Sequence, residues 1–153
     1  MYLFNFNQMF HLFTPSKAHY PQLLAVWESS VRATHHFLQP ADISFFKKTI
    51  QEKEVFSQVT LIAVQDENNR LLGFAGISGN RLEMLFIDAA ERGKGLGKNL
   101  MLHVINNCNV TKVDVNEQNA AAVNFYKHFG FKIISRDEID GTGKPYPILH
   151  MER

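Results

Sequence analysis

Apolar residues in the first half of the chain recur with two periods, one typical of helices and one typical of strands. A short apolar stretch from Phe10 to Phe13 predicts a strand, and Thr14-Pro15 after it is typical of a helix start. Two helices are predicted by apolar residues at helical spacing: Tyr20, Leu23, Leu24, Trp27 and Val31 in the first, and Ile43, Phe46 and Ile50 in a second that runs from about Pro40 to Phe56. Three apolar runs over 59–64, 71–77 and 81–87 predict strands, which short turns would join into an antiparallel meander.

The second half of the chain alternates between helical and strand patterns. A helix is predicted from Leu96 to Cys108, where apolar residues recur in four-residue steps. A further helix carries Ala122, Phe125, Tyr126 and Phe129 and ends at Gly130. Strands are predicted over 110–115, 131–135 and 148–152. The order strand, helix, strand, helix, strand implies one parallel step beside the antiparallel meander, so the predicted fold class is mixed α/β (α+β).

Composition narrows the class of protein. The 153 residues suit one domain over 1–153, and a net charge of +1 argues against a protein that wraps a polyanion. The single cysteine suits a reducing compartment, and no apolar run is long enough for a membrane helix. The aromatic start lacks a basic region and a cleavage site, so we expect no signal peptide and a cytoplasmic protein. Met9 is a second candidate start, and we expect residues 1–8 to contribute little.

The segment RGKGLGK, residues 92–98, combines glycines, which leave the main chain accessible, with basic side chains. This combination is typical of a phosphate site. A Walker A loop would place Arg92 at its first glycine and Asn99 at its magnesium-binding hydroxyl, and neither residue fits. A Rossmann turn would need a third glycine where Lys98 stands, and it would follow its strand directly. Here five residues, 88–92, separate the strand from the first glycine. Both readings are therefore disfavoured, although Asp114 lies at the distance expected for a Rossmann ribose ligand.

A third pattern, R/Q-x-x-G-x-G/A between a strand and a helix, matches at Arg92, Gly95 and Gly97. Here the chain resembles the GNAT superfamily of N-acetyltransferases, and the resemblance covers nearly the whole chain. It implies a mainly antiparallel sheet of six to seven strands flanked by about four helices. It also implies that the pyrophosphate of acetyl-CoA binds the backbone N–H groups of the loop and the helix start, over Arg92, Gly93, Lys94, Gly95, Leu96, Gly97 and Lys98. Lys94 and Lys98 can add screened attraction to that pyrophosphate.

Two further segments resemble the same family. In VNEQNAAAVNFYKHFGF, Asn119 occupies the position of an Asn that opens a helix beside the coenzyme. Tyr126, seven residues later, occupies the position of a Tyr that faces the thioester sulfur. In the strand before the loop, Leu85, Phe86 and Ile87 match residues whose main chain pairs with the pantetheine arm. The resemblance also gives the N–H at Leu85 an oxyanion-hole role.

The resemblance implies direct attack of a substrate amine on the thioester, within a ternary complex. Tyr126, protonated at neutral pH, would donate a proton to the departing thiolate. Glu83 is the first candidate for the general base, because simple alternation places it on the face of its strand that carries Leu85 and Ile87. Asp114, on the next strand, is the second candidate. An ordinary solvated or paired carboxylate is the competing interpretation of both residues.

Two segments remain that the coenzyme does not explain. ATHHFLQP, residues 33–40, joins the first two helices, and DGTGKPYP, residues 140–147, precedes the last strand. A subgroup of small bacterial family members carries similar text at both places, which implies that these loops frame the amine site. We therefore expect His35, His36 and Tyr146 to line it, although a plain helix connection and a hairpin loop are the competing interpretations. His35-His36 has no third ligand at zinc spacing, so no metal is expected, and Cys108 is expected to pack in the core.

The resemblance therefore implies an N-acetyltransferase that acts on a primary amine of a protein, at lysine or the N-terminus, or of a small molecule. A non-catalytic acyl-CoA binding module is the alternative, and Tyr126 argues against it because binding alone needs no acid at the sulfur. A nucleic-acid-binding module is a distant third, because the chain is nearly neutral and shows no basic stripe. The expected partners are acetyl-CoA and an amine acceptor, without nucleic acid or membrane, on a monomer or homodimer.

Overall fold

A computed structural model describes residues 9–153. The expectations for residues 1–8 lie outside this range. The strands, numbered along the chain, are β1 Phe10–Phe13, β2 Thr60–Asp66, β3 Leu71–Ser78, β4 Arg81–Ile87, β5 Lys112–Asn116, β6 Lys132–Asp137 and β7 Ile148–Glu152. The α-helices are α1 Tyr20–Thr34, α2 Pro40–Glu52, α3 Leu96–Cys108 and α4 Ala120–His128. Short 3-10 turns occupy Lys17–His19, Val55–Gln58 and Ala89–Glu91.

The seven strands form a single sheet in the order β1-β2-β3-β4-β5-β7-β6. Neighbouring strands are antiparallel except β4 and β5, which are parallel. The mixed fold, with a mainly antiparallel sheet of six to seven strands and about four helices, is therefore confirmed. The parallel step expected from the alternation of elements lies between β4 and β5, with α3 as the connection.

Two predicted helix boundaries are wrong. The first helix was expected to open at Thr14-Pro15, but α1 begins at Tyr20, after the 3-10 turn that Ser16 caps. The second was expected to reach Phe56, but α2 ends at Glu52. Glu54 adopts a left-handed backbone with φ of 49°, which a helix cannot continue through. Phe56 is nevertheless buried, because it packs from the following 3-10 turn.

Each face of the sheet carries its own hydrophobic core. On one face α3 and α4 pack against the sheet through residues such as Leu96, Leu100 and Tyr126. On the other face α1 and α2 pack through residues such as Trp27 and Ile43. Every strand from β2 to β5 is thereby covered on at least one side.

The strand β4 carries a bulge at Glu83. Ile77 pairs with Leu82 and Gly76 pairs with Met84, which leaves Glu83 as an extra residue on β4. A bulge of this kind breaks the alternation of side chains between the two faces. Leu82 accordingly packs in the core beneath α3, and Met84 packs in the core beneath α1.

Candidate active site

The glycine loop between β4 and α3 has the backbone of an anion site. Gly93 and Gly95 adopt φ values of 80° and 81°, which glycine reaches at little cost. Gly95 is the N-cap of α3, so the N–H groups of the first helical turn have no partner within the helix. These N–H groups and the positive end of the helix dipole make the start of α3 suited to a pyrophosphate.

Gly97 is a glycine for a different reason. It lies inside α3, and a Cβ built on it would meet its nearest neighbours, Ile87 and Phe125, at 3.8 and 4.0 Å. These are ordinary van der Waals distances, so neither the backbone nor the packing of the protein requires glycine here. Glycine within a helix costs about 0.5–1 kcal/mol relative to alanine. The bare position therefore leaves room at the cavity wall, where a ligand could approach the main chain.

The cationic residues of the loop divide into two groups. Lys94 donates a hydrogen bond to the carboxylate of Glu91 at 2.6 Å, and Arg70 binds the same carboxylate. The charge of Lys94 is thus already engaged by a buried glutamate. Arg92 and Lys98 are exposed and form no ion pair with any residue in the range 9–153. These two are the loop cations that remain free to attract an anion.

A cavity of about 630 Å³ opens beside this loop. Strands β4 and β5 pair only through Arg81 with Lys112 and Leu82 with Val113, and they separate beyond that point. The rest of β4 therefore presents an unpaired main-chain edge to the cavity, as a partner for an extended ligand. The cavity brings together Leu85, Phe86, Ile87, Arg92, Gly93, Gly95, Leu96, Gly97, Lys98, Asn119 and Tyr126. Lys94 is the one predicted coenzyme residue that does not line it.

Helix α4 brings Asn119 and Tyr126 to this cavity. Asn119 is the N-cap of the helix, and its side-chain oxygen accepts a hydrogen bond from the backbone N–H of Ala122 at 3.2 Å. Tyr126 is 8% exposed, and its hydroxyl has no hydrogen-bond partner among the described residues. No side-chain oxygen among the described residues is both fully buried and without a hydrogen-bond partner. The Tyr126 hydroxyl is therefore not fully buried, and it reaches the cavity that Tyr126 lines. Burial raises the pKa of Tyr126 above its ordinary value, so the group is protonated at neutral pH.

A second cavity, of about 320 Å³, adjoins the first. His35 and Phe86 line both cavities and so mark the place where they meet. The second cavity lies between the α1–α2 side of the sheet and the loop 140–147, and most of its wall is apolar or aromatic. Its main wall residues are Trp27, Val31, Leu38, Phe46, Ile50, Met84 and Tyr146.

The two carboxylates considered as bases lie in different surroundings. Glu83 lines the second cavity with Met84 and Phe86, so the expectation that it shares a face with Leu85 and Ile87 is wrong, because of the bulge. Burial raises the pKa of the Glu83 carboxyl, Arg81 opposes the rise and Asp114 adds to it. The Asp114 carboxylate accepts hydrogen bonds at 2.7 Å from Arg81 and at 2.6 Å from His150. Glu83 is therefore better placed than Asp114 to accept a proton from a ligand, because it lines a cavity and Asp114 is already bound by Arg81 and His150.

The three residues expected at the amine site are divided between the cavities. His35 lies at the junction, His36 lines the first cavity only and is exposed, and Tyr146 lines the second. Tyr146 donates its hydroxyl hydrogen bond to Asp42, which also binds Lys144 at 2.8 Å. No signal in the sequence pointed to Asp42, because an acidic residue in the first turn of a helix is an ordinary feature.

Cys108 and the possible metal ligands show no arrangement that indicates catalysis or metal binding among the described residues. Cys108 is half-buried at the end of α3, packed against the core beneath that helix, and burial raises the pKa of its thiol. In the range 9–153, no group of three or more His, Cys, Asp or Glu side chains is arranged to hold a metal ion. Over the same range, no helix has both the length and the apolar character needed to cross a membrane.

Comparison with known proteins identifies the family. The family model described as the acetyltransferase (GNAT) domain matches residues 31–147. The chain belongs to the GNAT acetyltransferase family. Peptidyl-lysine N-acetyltransferase YjaB of Salmonella typhimurium (strain LT2) is 37% identical over 132 residues, which span 85% of this chain and 88% of the relative. The Escherichia coli (strain K12) protein of the same name is 37% identical over 130 residues, which span 85% of this chain and 87% of the relative.

Solved structures of GNAT proteins share the fold. The solution structure of apo YjaB from Escherichia coli has a TM-score of 0.83 and 34% sequence identity, covering 94% of this chain and 96% of that one. PaiA N-acetyltransferase from Thermoplasma acidophilum, solved with coenzyme A, has a TM-score of 0.70 and 21% identity, covering 94% of this chain and 99% of that one.

These findings confirm the predicted family and the predicted enzyme class. The protein is a GNAT acetyltransferase that uses acetyl-CoA as its co-substrate. The alternative of a non-catalytic acyl-CoA binding module is therefore set aside. The individual roles of Tyr126, Glu83 and the loop residues stay predictions, which the geometry described above makes specific.

Proposed function

We propose that this GNAT enzyme transfers the acetyl group from acetyl-CoA to the side-chain amine of lysine in a peptide or protein. The observation that carries the proposal is the second cavity, which meets the first cavity at His35 and Phe86. The first cavity, which we propose holds acetyl-CoA, is called the coenzyme cavity below. Two relatives at 37% identity are named peptidyl-lysine N-acetyltransferases, which supports the same substrate class.

The lining of the second cavity suits a lysine side chain. Trp27, Phe46 and Met84 offer apolar surface to its methylene stem. Glu83 supplies a carboxylate that attracts the ammonium group. The cavity lining includes no lysine or arginine that would repel a cationic substrate, and burial lowers the pKa of His35 to about 4, so His35 is neutral at pH 7.

A lysine amine must lose a proton before it can attack. With an ordinary pKa of about 10.4, holding the amine neutral at pH 7 costs roughly 4–5 kcal/mol. We assign proton removal to Glu83, because the raised pKa of its carboxyl makes it a stronger base than an ordinary glutamate. The neighbouring apolar walls also favour the neutral amine by desolvation.

The coenzyme cavity supplies the remaining steps of the proposed reaction. The backbone N–H of Leu85, on the unpaired edge of β4, would stabilise the oxyanion of the tetrahedral intermediate. The Tyr126 hydroxyl, which reaches the cavity with its proton in place, would donate that proton to the departing thiolate. The pyrophosphate would bind the start of α3, with Arg92 and Lys98 beside it.

An acetylation assay with defined peptides tests the proposal. The enzyme and acetyl-CoA are incubated with an N-terminally blocked peptide that contains one lysine, and with a lysine-free peptide that has a free N-terminus. Mass spectrometry of the products should show acetylation of the first and little of the second. Acetylation of the lysine-free peptide alone would contradict lysine specificity.

A tyrosine variant tests the assignment of the acid in the same assay. Tyr126→Phe should bind coenzyme A as the wild type does and lose about 10²–10⁴-fold in kcat. Tyr20→Phe is the matched control. Tyr20, at the start of α1, packs against Phe56 and lines neither cavity, so this variant should keep full activity. Wild-type turnover in Tyr126→Phe would reduce Tyr126 to a packing residue.

We also propose that acetyl-CoA and the amine acceptor are the partners of a cytoplasmic monomer or homodimer that binds neither nucleic acid nor membrane. A net charge of +1 supports the first exclusion, and the single cysteine is in keeping with a reducing compartment.

A further inference from the structure

The ring of His35 occupies the junction of the two cavities. His35 is the C-cap of α1, it is half-buried, and it lines both the coenzyme cavity and the second cavity. An amine that enters from the second cavity would pass beside this ring on its way to a thioester bound in the first cavity. The hydrogen-bonding character of the ring at this point therefore matters for the reaction.

The neighbouring hydroxyl of Thr34 fixes the tautomer of His35. Thr34 Oγ1 donates its hydrogen bond to the carbonyl oxygen of Ser30 at 2.7 Å. A carbonyl oxygen only accepts, and a threonine hydroxyl has only one proton to donate. The contact of 2.7 Å between Thr34 Oγ1 and His35 Nδ1 must therefore have Nδ1–H as the donor. In the neutral ring, the proton is then on Nδ1 and the lone pair is on Nε2.

The Nε2 atom is open to the cavities. No described residue forms a hydrogen bond with it. No side-chain nitrogen or oxygen in the range 9–153 is fully buried without a partner, so Nε2 reaches the space that its ring lines. The C-cap backbone N–H of His35 is bound to Val31 O at 2.8 Å, which anchors the residue behind the ring.

We propose that Thr34 is a positioning residue that holds His35 in the Nδ1–H tautomer, so that Nε2 accepts a hydrogen bond from the substrate amine at the junction of the cavities. Nothing in the family comparison assigns this role to either residue. The proposal rests on the proposed lysine acetylation and deepens it.

The chemistry of the attack explains why an acceptor is useful here. A neutral primary amine has two N–H bonds and one lone pair, and the lone pair must point at the thioester carbonyl. An acceptor that holds one N–H orients the lone pair and removes rotational freedom from the amine. Burial keeps the imidazole neutral at the pH of the reaction, so Nε2 remains an acceptor. With the opposite tautomer, Nε2–H would face the amine as a donor and compete for the lone pair.

Nitrogen-15 NMR of the wild-type ring tests the tautomer without any variant at Thr34. His35→Gln, compared with the wild type, assigns the signals. At neutral pH the His35 ring should show the neutral form protonated at Nδ1. A spectrum of the neutral form protonated at Nε2, or of the imidazolium, would overturn the inference even if lysine peptides are acetylated. If lysine peptides are not acetylated, the lysine proposal fails, and the spectrum still decides the tautomer.

Kinetics of two Thr34 variants test the positioning role. Thr34→Val keeps the shape of the side chain and removes Oγ1, while Thr34→Ser keeps the hydroxyl. Thr34→Val should lower kcat/KM for the lysine peptide about tenfold, the effect of one misplaced hydrogen bond. Thr34 also lines the first cavity, but Val keeps the shape of its side chain, so the KM for acetyl-CoA should change much less. Its His35 signals should shift toward the Nε2–H form.

Thr34→Ser should restore both the kinetics and the spectrum. A merely structural role for Thr34 would lower thermal stability in the Val variant without changing either the tautomer or the split between the two KM values. That result would overturn the proposal, as would wild-type amine kinetics in a Val variant whose tautomer has changed.

Discussion

Tyr146 donates a hydrogen bond from its hydroxyl to the carboxylate of Asp42, and this bond fastens the loop 140–147 to the first turn of α2. Lys144 binds the other oxygen of the same carboxylate at 2.8 Å, and the rings of Phe37 and Phe46 pack against Tyr146. The Asp42 carboxylate therefore ties the loop 140–147, which lines the second cavity, to α2, although Asp42 lies 104 residues away in the chain from Tyr146.

Loss of the Asp42 contact should change the KM for the amine and leave the KM for acetyl-CoA nearly unchanged. In Asp42→Asn, the loop loses its charged partner, so the KM for a lysine peptide should rise about three- to tenfold. The KM for acetyl-CoA should change little, because neither Asp42 nor the loop lines the first cavity. Lys48→Gln, on the exposed face of the same helix, is the control. An unchanged amine KM with only a lower melting temperature would make the contact purely structural.

Gly97→Ala should stabilise the free protein and weaken coenzyme binding. Its backbone has an ordinary φ and there is room for a methyl group, so the free energy of unfolding should rise by up to about 1 kcal/mol. The methyl group would stand where the pyrophosphate is proposed to approach, so the melting-temperature shift with coenzyme A should shrink. Gly95→Ala is the matched contrast, because its φ of 81° strains alanine and should lower stability without ligand. An undiminished shift in Gly97→Ala would place the coenzyme elsewhere.

Glu83→Gln should remove the base and its pH dependence. In the wild type, kcat/KM for the amine should rise with pH as the Glu83 carboxyl loses its proton, and the Gln variant should lose that limb and about 10²-fold in rate. Because the folded pKa is raised, the carboxyl disfavours folding above its ordinary pKa, so the variant should be no less stable at neutral pH.

Two other carboxylates serve as controls for Glu83. Glu67→Gln changes an exposed carboxylate in the β2–β3 turn, and its pH profile should match the wild type. Asp114→Asn tests the second candidate for the base, and it should lose much less activity because Arg81 and His150 already bind that carboxylate. A larger loss in Asp114→Asn than in Glu83→Gln would exchange the two assignments.

Two histidines should titrate on opposite sides of the ordinary pKa of about 6.5. Burial lowers the pKa of His35 to about 4, while hydrogen bonds to Asp137 and Asp114 raise the pKa of His150. His35 should therefore make stability fall as the pH drops from 6.5 to 4, because only the unfolded chain takes up the proton. His150 stabilises the fold below pH 6.5, and that contribution is lost as the pH rises through its folded pKa.

Proton NMR titration of the two imidazole rings measures both values directly. A His35 midpoint near 6.5 would contradict the burial seen at the junction of the cavities.

Local features of the chain predicted much of the fold and most of the residues that line the first cavity. Apolar spacing gave β4 and β7 their observed bounds, because each strand packs a continuous run against the cores. The spacing of Arg92, Gly95 and Gly97 marked the loop because close approach of a backbone to an anion restricts which residues fit. Asn119, the N-cap of α4, and Tyr126 lie seven residues apart, close to two helical turns, so both reach the same cavity.

Features that depend on distant partners were not predictable in this way. The bulge at Glu83 arises from pairing with β3, so counting along β4 alone placed the side chain on the wrong face. Asp42 and Tyr146 are 104 residues apart in the chain, so only the complete fold brings them together. The Glu91 carboxylate that binds Lys94 is buried and also binds Arg70, 21 residues away, which the spacing of the loop does not show. The extent of the domain over 1–153 stays a prediction.

The central claim is that one cavity holds the coenzyme, the other holds the lysine, and the two meet at His35 and Phe86. A bisubstrate compound, with the coenzyme A sulfur joined through an acetyl bridge to the lysine nitrogen of a peptide, tests it by calorimetry. If the cavities are continuous, linking the two ligands should give binding at least about 10²-fold tighter than coenzyme A alone, because the second contact becomes intramolecular. Affinity no better than that of coenzyme A, with the peptide part making no contribution, would contradict the account.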